Sequence, residues 1–176
     1  MTDYLALTAR CFVGTVLLVS VATKLNSRAG FVAFLDWLRG LTVVPERRVL
    51  VLGASMVAVE TVTLVLLLPQ ATYLAGLALA AATMAFFAGA TMFLVRRGIA
   101  VPCQCFGAAA SRRPMGPVEV VRDLLLAAVA AFAAVVAVFG PQSTVPVPEI
   151  VLAVLLGGAI GLVTTRLDDL RELFAP

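Results

Sequence analysis

Apolar residues along this chain fall in five long, nearly unbroken blocks rather than alternating with polar ones. A helix that crosses a bilayer needs about 20 mostly apolar residues. The blocks at about 4–23, 49–68, 73–95, 118–139 and 147–165 meet that need. The first is the poorest, because Arg10 interrupts it and leaves a short uncharged run from Cys11 to Thr23. Arg10 is expected to snorkel to the nearer interface. The second block carries one carboxylate, Glu60, near its middle, and the third carries no charge. The fourth opens with Glu119, Arg122 and Asp123. The fifth contains Gly157-x-x-x-Gly161, which is either a close-packing helix face or chance in a Gly/Ala-rich helix.

Between the first two blocks the pattern changes. Phe31, Phe34, Leu35, Leu38 and Leu41 follow helical spacing, with Asp36 and Arg39 on the other faces. This predicts a short interfacial helix over about 29–42, with Trp37 near the headgroups and Pro45 as its stop. The fold class expected is all-α: a polytopic transmembrane helix bundle of about five spans, in one domain over 1–176. Ser20-Val21-Ala22 resembles a signal-peptide cleavage site, but the first block is expected to be a retained helix.

Composition agrees with the pattern. The chain is 62% hydrophobic and 13% charged, against about 25% charged in soluble domains. No soluble interior of 176 residues hides that much apolar surface. The net charge of +3 is spread as loop arginines, which is not a nucleic-acid footprint. There is no histidine. That excludes His general bases, Ser-His and Cys-His nucleophile pairs, and His-ligated metal sites.

The basic residues also set an orientation. Lys24, Arg28, Arg39, Arg47 and Arg48 lie in one connection, Arg96, Arg97, Arg112 and Arg113 in another, and Arg166 and Arg171 in the tail. With five spans these all share one side, while Pro69-Gln70 and 140–145 carry none. The positive-inside rule then places the N-terminus outside and the C-terminus in the cytoplasm, in a bacterial cytoplasmic membrane.

The chemistry concentrates at Val101-Pro102-Cys103-Gln104-Cys105-Phe106-Gly107, inside a loop at 96–117. Gly98, Pro102 and Gly107 argue against a continuous helix there. Three readings stand. As a redox pair, Cys103 and Cys105 close a small, strained and therefore labile disulfide ring. Arg96, Arg97 and Lys24 would raise the thiolate fraction. As a metal site, the pair would take a soft ion such as Cu(I) or Hg(II), for transport or binding, though two thiolates are few ligands. As plain loop cysteines, they would leave the protein a membrane scaffold or chaperone. Cys11, in the first span, is expected to be a small apolar residue or a relay thiol.

Glu60 is the one carboxylate well inside a span. Lys24 would reach it, tying the first two spans together or relaying a proton to a thiol or a membrane quinone. Arg122 with Asp123 would anchor the fourth span or position the cysteine loop.

These features stand in a recognisable order. Thr23-Lys24-Leu25 is followed by Phe31, Phe34, Pro45, Glu60, Arg97-Gly98, Cys103-x-Cys105-Phe106-Gly107 and Arg122-Asp123. The order resembles the methylamine utilisation protein MauE family, within the wider DoxX-like membrane proteins, over about residues 8–130. The resemblance implies a four- to five-helix membrane protein tied to thiol–disulfide chemistry. It implies disulfide formation in an exported, cysteine-rich partner, alongside a thioredoxin-like protein. Carried over, Cys103 and Cys105 become the redox pair, and Lys24, Glu60 and Arg122 become family polar positions. Asp123 stands where the pattern leads one to expect Asn, and Cys11 matches no motif. One tension follows. A disulfide-forming motif suits the oxidising outer face, whereas the charge count turns this loop toward the cytoplasm.

Overall fold

The computed structural model describes residues 2–41, 44–99, 116–139 and 146–166. Six helices run in order: α1 Thr2–Leu25, α2 Arg28–Gly40, α3 Glu46–Leu67, α4 Tyr73–Arg96, α5 Pro117–Phe139 and α6 Val147–Thr165. No strand occurs among the described residues. All but α2 are long and apolar enough to cross a membrane. The arrangement is that of an integral membrane protein.

Local chemistry sets the helix ends. Ser27 caps α2 by accepting from the Gly30 N–H at 3.0 Å. Prolines precede or open α3, α5 and α6, where a missing N–H costs nothing. α4 stops at Gly98, whose φ of 70° is the left-handed turn glycine adopts most easily. The Ile99 N–H then reaches back to the Leu94 carbonyl at 3.1 Å, and Gly98 N–H to Val95 at 3.0 Å.

Helices α1, α3, α4 and α5 form a ring in which α1 touches α3 and α5, and α4 touches the same two. Their shared core joins Val13, Val16 and Leu17 of α1 with Leu77, Ala80 and Met84 of α4 and Leu126 and Ala130 of α5. Outward-facing positions are apolar as well, as at Val51, Phe132 and Leu155, which fits lipid as the outer solvent. Threonine hydroxyls on the spans bond back to carbonyls of their own helices, as Thr15 does to Cys11 and Thr63 to Val59. No water is then needed to satisfy them.

The first span, the one interrupted by Arg10, is the hub: it packs on α2, α3, α5 and α6. Arg10 explains part of this. Its guanidinium donates to the Leu67 and Leu68 carbonyls at 2.6 Å each and to Gln70 Oε1 at 3.0 Å. It also lies 4.9 Å from the centre of the Tyr73 ring. The charge that weakens α1 as an apolar block thus closes the end of α3, where carbonyls lack helical partners.

The expected interfacial helix forms as α2, two residues from the expected bounds at its C-terminal end. Phe34, Leu35, Leu38 and Leu41 bury against Val49 and Val57 of α3 and Leu94 of α4. Trp37 is half-buried and stacks on Phe34, ring centres 5.9 Å apart.

α6 lies against α1, with Ala153, Gly157 and Gly161 buried along one face. A Cβ built on Gly157 would stand 2.6 Å from the Thr8 carbonyl oxygen and 2.8 Å from Cys11 Cβ. One on Gly161 would meet Thr15 Cβ at 2.9 Å. The GxxxG is therefore a packing face, which the spacing alone left open. Gly157→Leu is expected to lower stability in detergent by about 1–3 kcal/mol through overpacking. Gly158→Leu, where a Cβ meets only Thr15 Oγ1 at 3.9 Å, is expected to leave the unfolding midpoint nearly unchanged.

Candidate functional site

Three buried polar side chains meet where α1 faces α3. Lys24 Nζ lies 2.7 Å from both Glu60 oxygens and 2.8 Å from Ser20 Oγ. Ser20 Oγ in turn donates to Glu60 Oε2 at 3.1 Å. The Lys24 side chain is 5% exposed and that of Glu60 2%. Lys24 and Ser20 are one helical turn apart, so they share a face of α1. Glu60 is seven residues from the end of α3 at Leu67, or about 10 Å along the helix.

The pair needs this completeness. A lone charge at that depth would cost several kcal/mol, and the cost is met only when every proton and lone pair has a partner. The ammonium has three N–H groups and three oxygen acceptors in range. Its remaining side is covered by the Phe34 ring of α2, centred 5.1 Å from Nζ. So α2 does more than rest at an interface: one of its buried aromatics closes the Lys24–Glu60 site.

A second polar group opens α5. Arg122 Nε stands 3.4 Å from Asp123 Oδ1, and both residues are buried. Asp123 Oδ2 is buried and has no hydrogen-bond partner. Asp123 precedes Leu126 by one turn, and Ser20 follows Leu17 by one turn. Leu17 and Leu126 belong to the same core cluster, so both polar groups lie at the same end of that core.

The other expected site residues separate. Arg97 closes α4 and lays its guanidinium 4.9 Å from the centre of the Phe93 ring. Cys11 faces α6 at Gly157, on the opposite length of α1 from Lys24. It is a free, partly buried thiol. Cys103 and Cys105 lie outside the described residues, as does the rest of the expected loop at 100–115. The sequence reading missed Ser20 as a site residue, seeing only a cleavage-site resemblance. Its position four residues before Lys24 was the available signal.

The family model described as Methylamine utilisation protein MauE matches residues 2–140. The chain belongs to the MauE family. The match takes in Lys24, Glu60, Cys103, Cys105, Arg122 and Asp123, and ends before α6. Searches of curated proteins and of solved structures each found no match. Membership of the MauE family is consistent with a redox-associated role at the membrane. The helix that packs its glycine face on α1 lies beyond the matched residues.

The hydrogen-bond arithmetic of the Lys24–Glu60 pair gives an expectation for double-mutant cycles. Lys24→Met or Glu60→Leu alone strands a buried partner and is expected to cost about 3–5 kcal/mol. The double variant is expected to recover most of that loss. Unfolding in detergent micelles reads both.

Proposed function

We propose that this MauE-family chain is a membrane thiol–disulfide oxidoreductase whose working pair is Cys103 and Cys105. The observation that carries the reading is the Cys103-x-Cys105-Phe106-Gly107 motif, four residues after the Gly98-Ile99 stop of α4. Ile99 packs against the cluster of α2, α3 and α4 that contains Phe34, the residue covering Lys24. Four residues span at most about 14 Å. Chain length alone thus keeps Cys103 within that distance of Ile99.

The chemical step is exchange through a mixed disulfide. A client thiolate attacks one sulfur of the oxidised pair, and the other sulfur leaves as a thiolate. A second client thiolate then attacks the client sulfur of the mixed disulfide. The client gains a disulfide and the pair becomes a dithiol, with two electrons and two protons transferred. A membrane quinone is the acceptor class proposed for reoxidation, taking both electrons and both protons to become a quinol. The partner is a thioredoxin-like or otherwise cysteine-containing protein. The orientation proposed from the basic residues turns the pair toward the cytoplasm, in a bacterial cytoplasmic membrane.

Membrane-impermeant thiol labelling in a Cys11→Ala background tests this reading. Label is expected to enter Cys103 and Cys105 only after reduction, and from inverted vesicles rather than intact cells. Equal labelling with and without reductant overturns the redox reading. Labelling from intact cells alone overturns the orientation. Cys103→Ser or Cys105→Ser is expected to abolish disulfide transfer to a client peptide.

A further inference from the structure

A redox bundle that makes or breaks a disulfide must also move protons. Oxidation of a dithiol releases two electrons and two protons, and a quinone takes up two of each. Inside a bilayer a proton in transit needs a protein group to hold it. Among the described residues, the buried ionisable groups at this end of the core are Lys24, Glu60, Arg122 and Asp123.

Geometry separates them. The Lys24–Glu60 pair is saturated: each N–H of the ammonium has an acceptor, and both carboxylate oxygens already accept. Adding a proton to Glu60 would break contacts on which the packing of α1 and α3 depends. Arg122 holds its proton too tightly to exchange it. Asp123 differs. It is 2% exposed, its Oδ1 has one long contact to Arg122, and its Oδ2 has no partner. A native structure seldom leaves such an atom buried, and the exceptions call for a reason.

We infer that Asp123 is the proton-holding carboxyl of this protein, taking up and releasing one proton as the cysteine pair cycles. The inference rests on the proposed redox reading. In the step, a carboxylate at Asp123 accepts one proton released by dithiol oxidation and becomes a carboxylic acid. It returns that proton to the quinone, which becomes the quinol together with the second proton and both electrons. The charged groups bearing on Asp123 from its own helix are Arg122 and Glu119. Of the two helices packed against α5, α4 carries a charge only at Arg96. α1 brings Lys24 at the same end, with Asp3 and Arg10 at the other. Arg122 keeps the carboxylate form accessible without occupying Oδ2. Asparagine has the same shape and cannot take up the proton.

The test is a reduced-minus-oxidised infrared difference spectrum of the full chain in phospholipid vesicles, reduced with a dithiol and oxidised with ferricyanide, which takes electrons and no proton and so leaves the proton on Asp123. A carboxylic-acid C=O band sensitive to deuterium exchange is expected on oxidation and is expected to vanish in Asp123→Asn. The variant is near-isosteric, and an unchanged unfolding midpoint certifies its fold. A band that persists in Asp123→Asn, or no carboxylic-acid band at all, overturns the inference. Thiol counting on the same samples separates the two levels. If two thiols appear and vanish with the cycle while the band ignores Asp123, only the proton assignment fails. If the thiols do not cycle, the redox reading and the assignment built on it fail together.

Discussion

A charge inside a bilayer has no water to fall back on, and this bundle is organised around a fully satisfied ion pair that it keeps there. Lys24 and Glu60 satisfy each other at 2.7 Å, with Ser20 bridging them and Phe34 closing the open side. Each contact enlists another element: α1 supplies the amine and the hydroxyl, α3 the carboxylate, α2 the aromatic cover. Shifting α1 or α3 by one turn would leave a full charge in an apolar medium, and shifting α2 would uncover the ammonium. Hydrophobic packing between spans is non-directional and cannot enforce register so sharply, because lipid tails are as apolar as leucine. The ion pair can, which agrees with its best-attested use in buried sites, specifying arrangement rather than adding stability.

The same constraint explains why α1 sits at the centre. Its apolar run is broken by Arg10, Ser20 and Lys24. Those are the residues that tie it to its neighbours: Arg10 to the end of α3, Ser20 and Lys24 to Glu60. Its remaining face is stripped of bulk on the partner side, so Gly157 and Gly161 let α6 approach the α1 backbone directly. A span built this way gains from protein contacts what it gives up in lipid transfer. Against the closed Lys24–Glu60 site, the open Oδ2 of Asp123 stands out. One buried polar cluster is finished and the other has a vacancy, and they lie at the same end of the core beside the stop of α4.

The five spans and the amphipathic α2 were legible from the chain because block length and helical spacing are local properties. A run of some 20 apolar residues has few alternatives to a membrane helix, and Gly98 ends α4 by its own backbone preference. The Lys24–Glu60 pair was also within reach, since an intramembrane carboxylate demands a cation and few were close. Ser20 was harder, because a serine four residues before a lysine carries no meaning until the partner helix is in place. The role of Arg10 was not legible: its acceptors lie 57 and 58 residues away along the chain.

By itself, then, the sequence determined the solvent, the number and extent of the membrane helices, the family order of polar positions and the cysteine motif. Each of these depends on residue type and short-range spacing. The tertiary structure alone decided that the span interrupted by Arg10 is the hub. It decided that Gly157 and Gly161 form an interface, that Cys11 faces α6, and that Lys24–Glu60 is hydrogen-bond complete while Asp123 is not. Those outcomes depend on which helix faces meet and at what register. Contacts between distant segments set that register, and no local pattern encodes them.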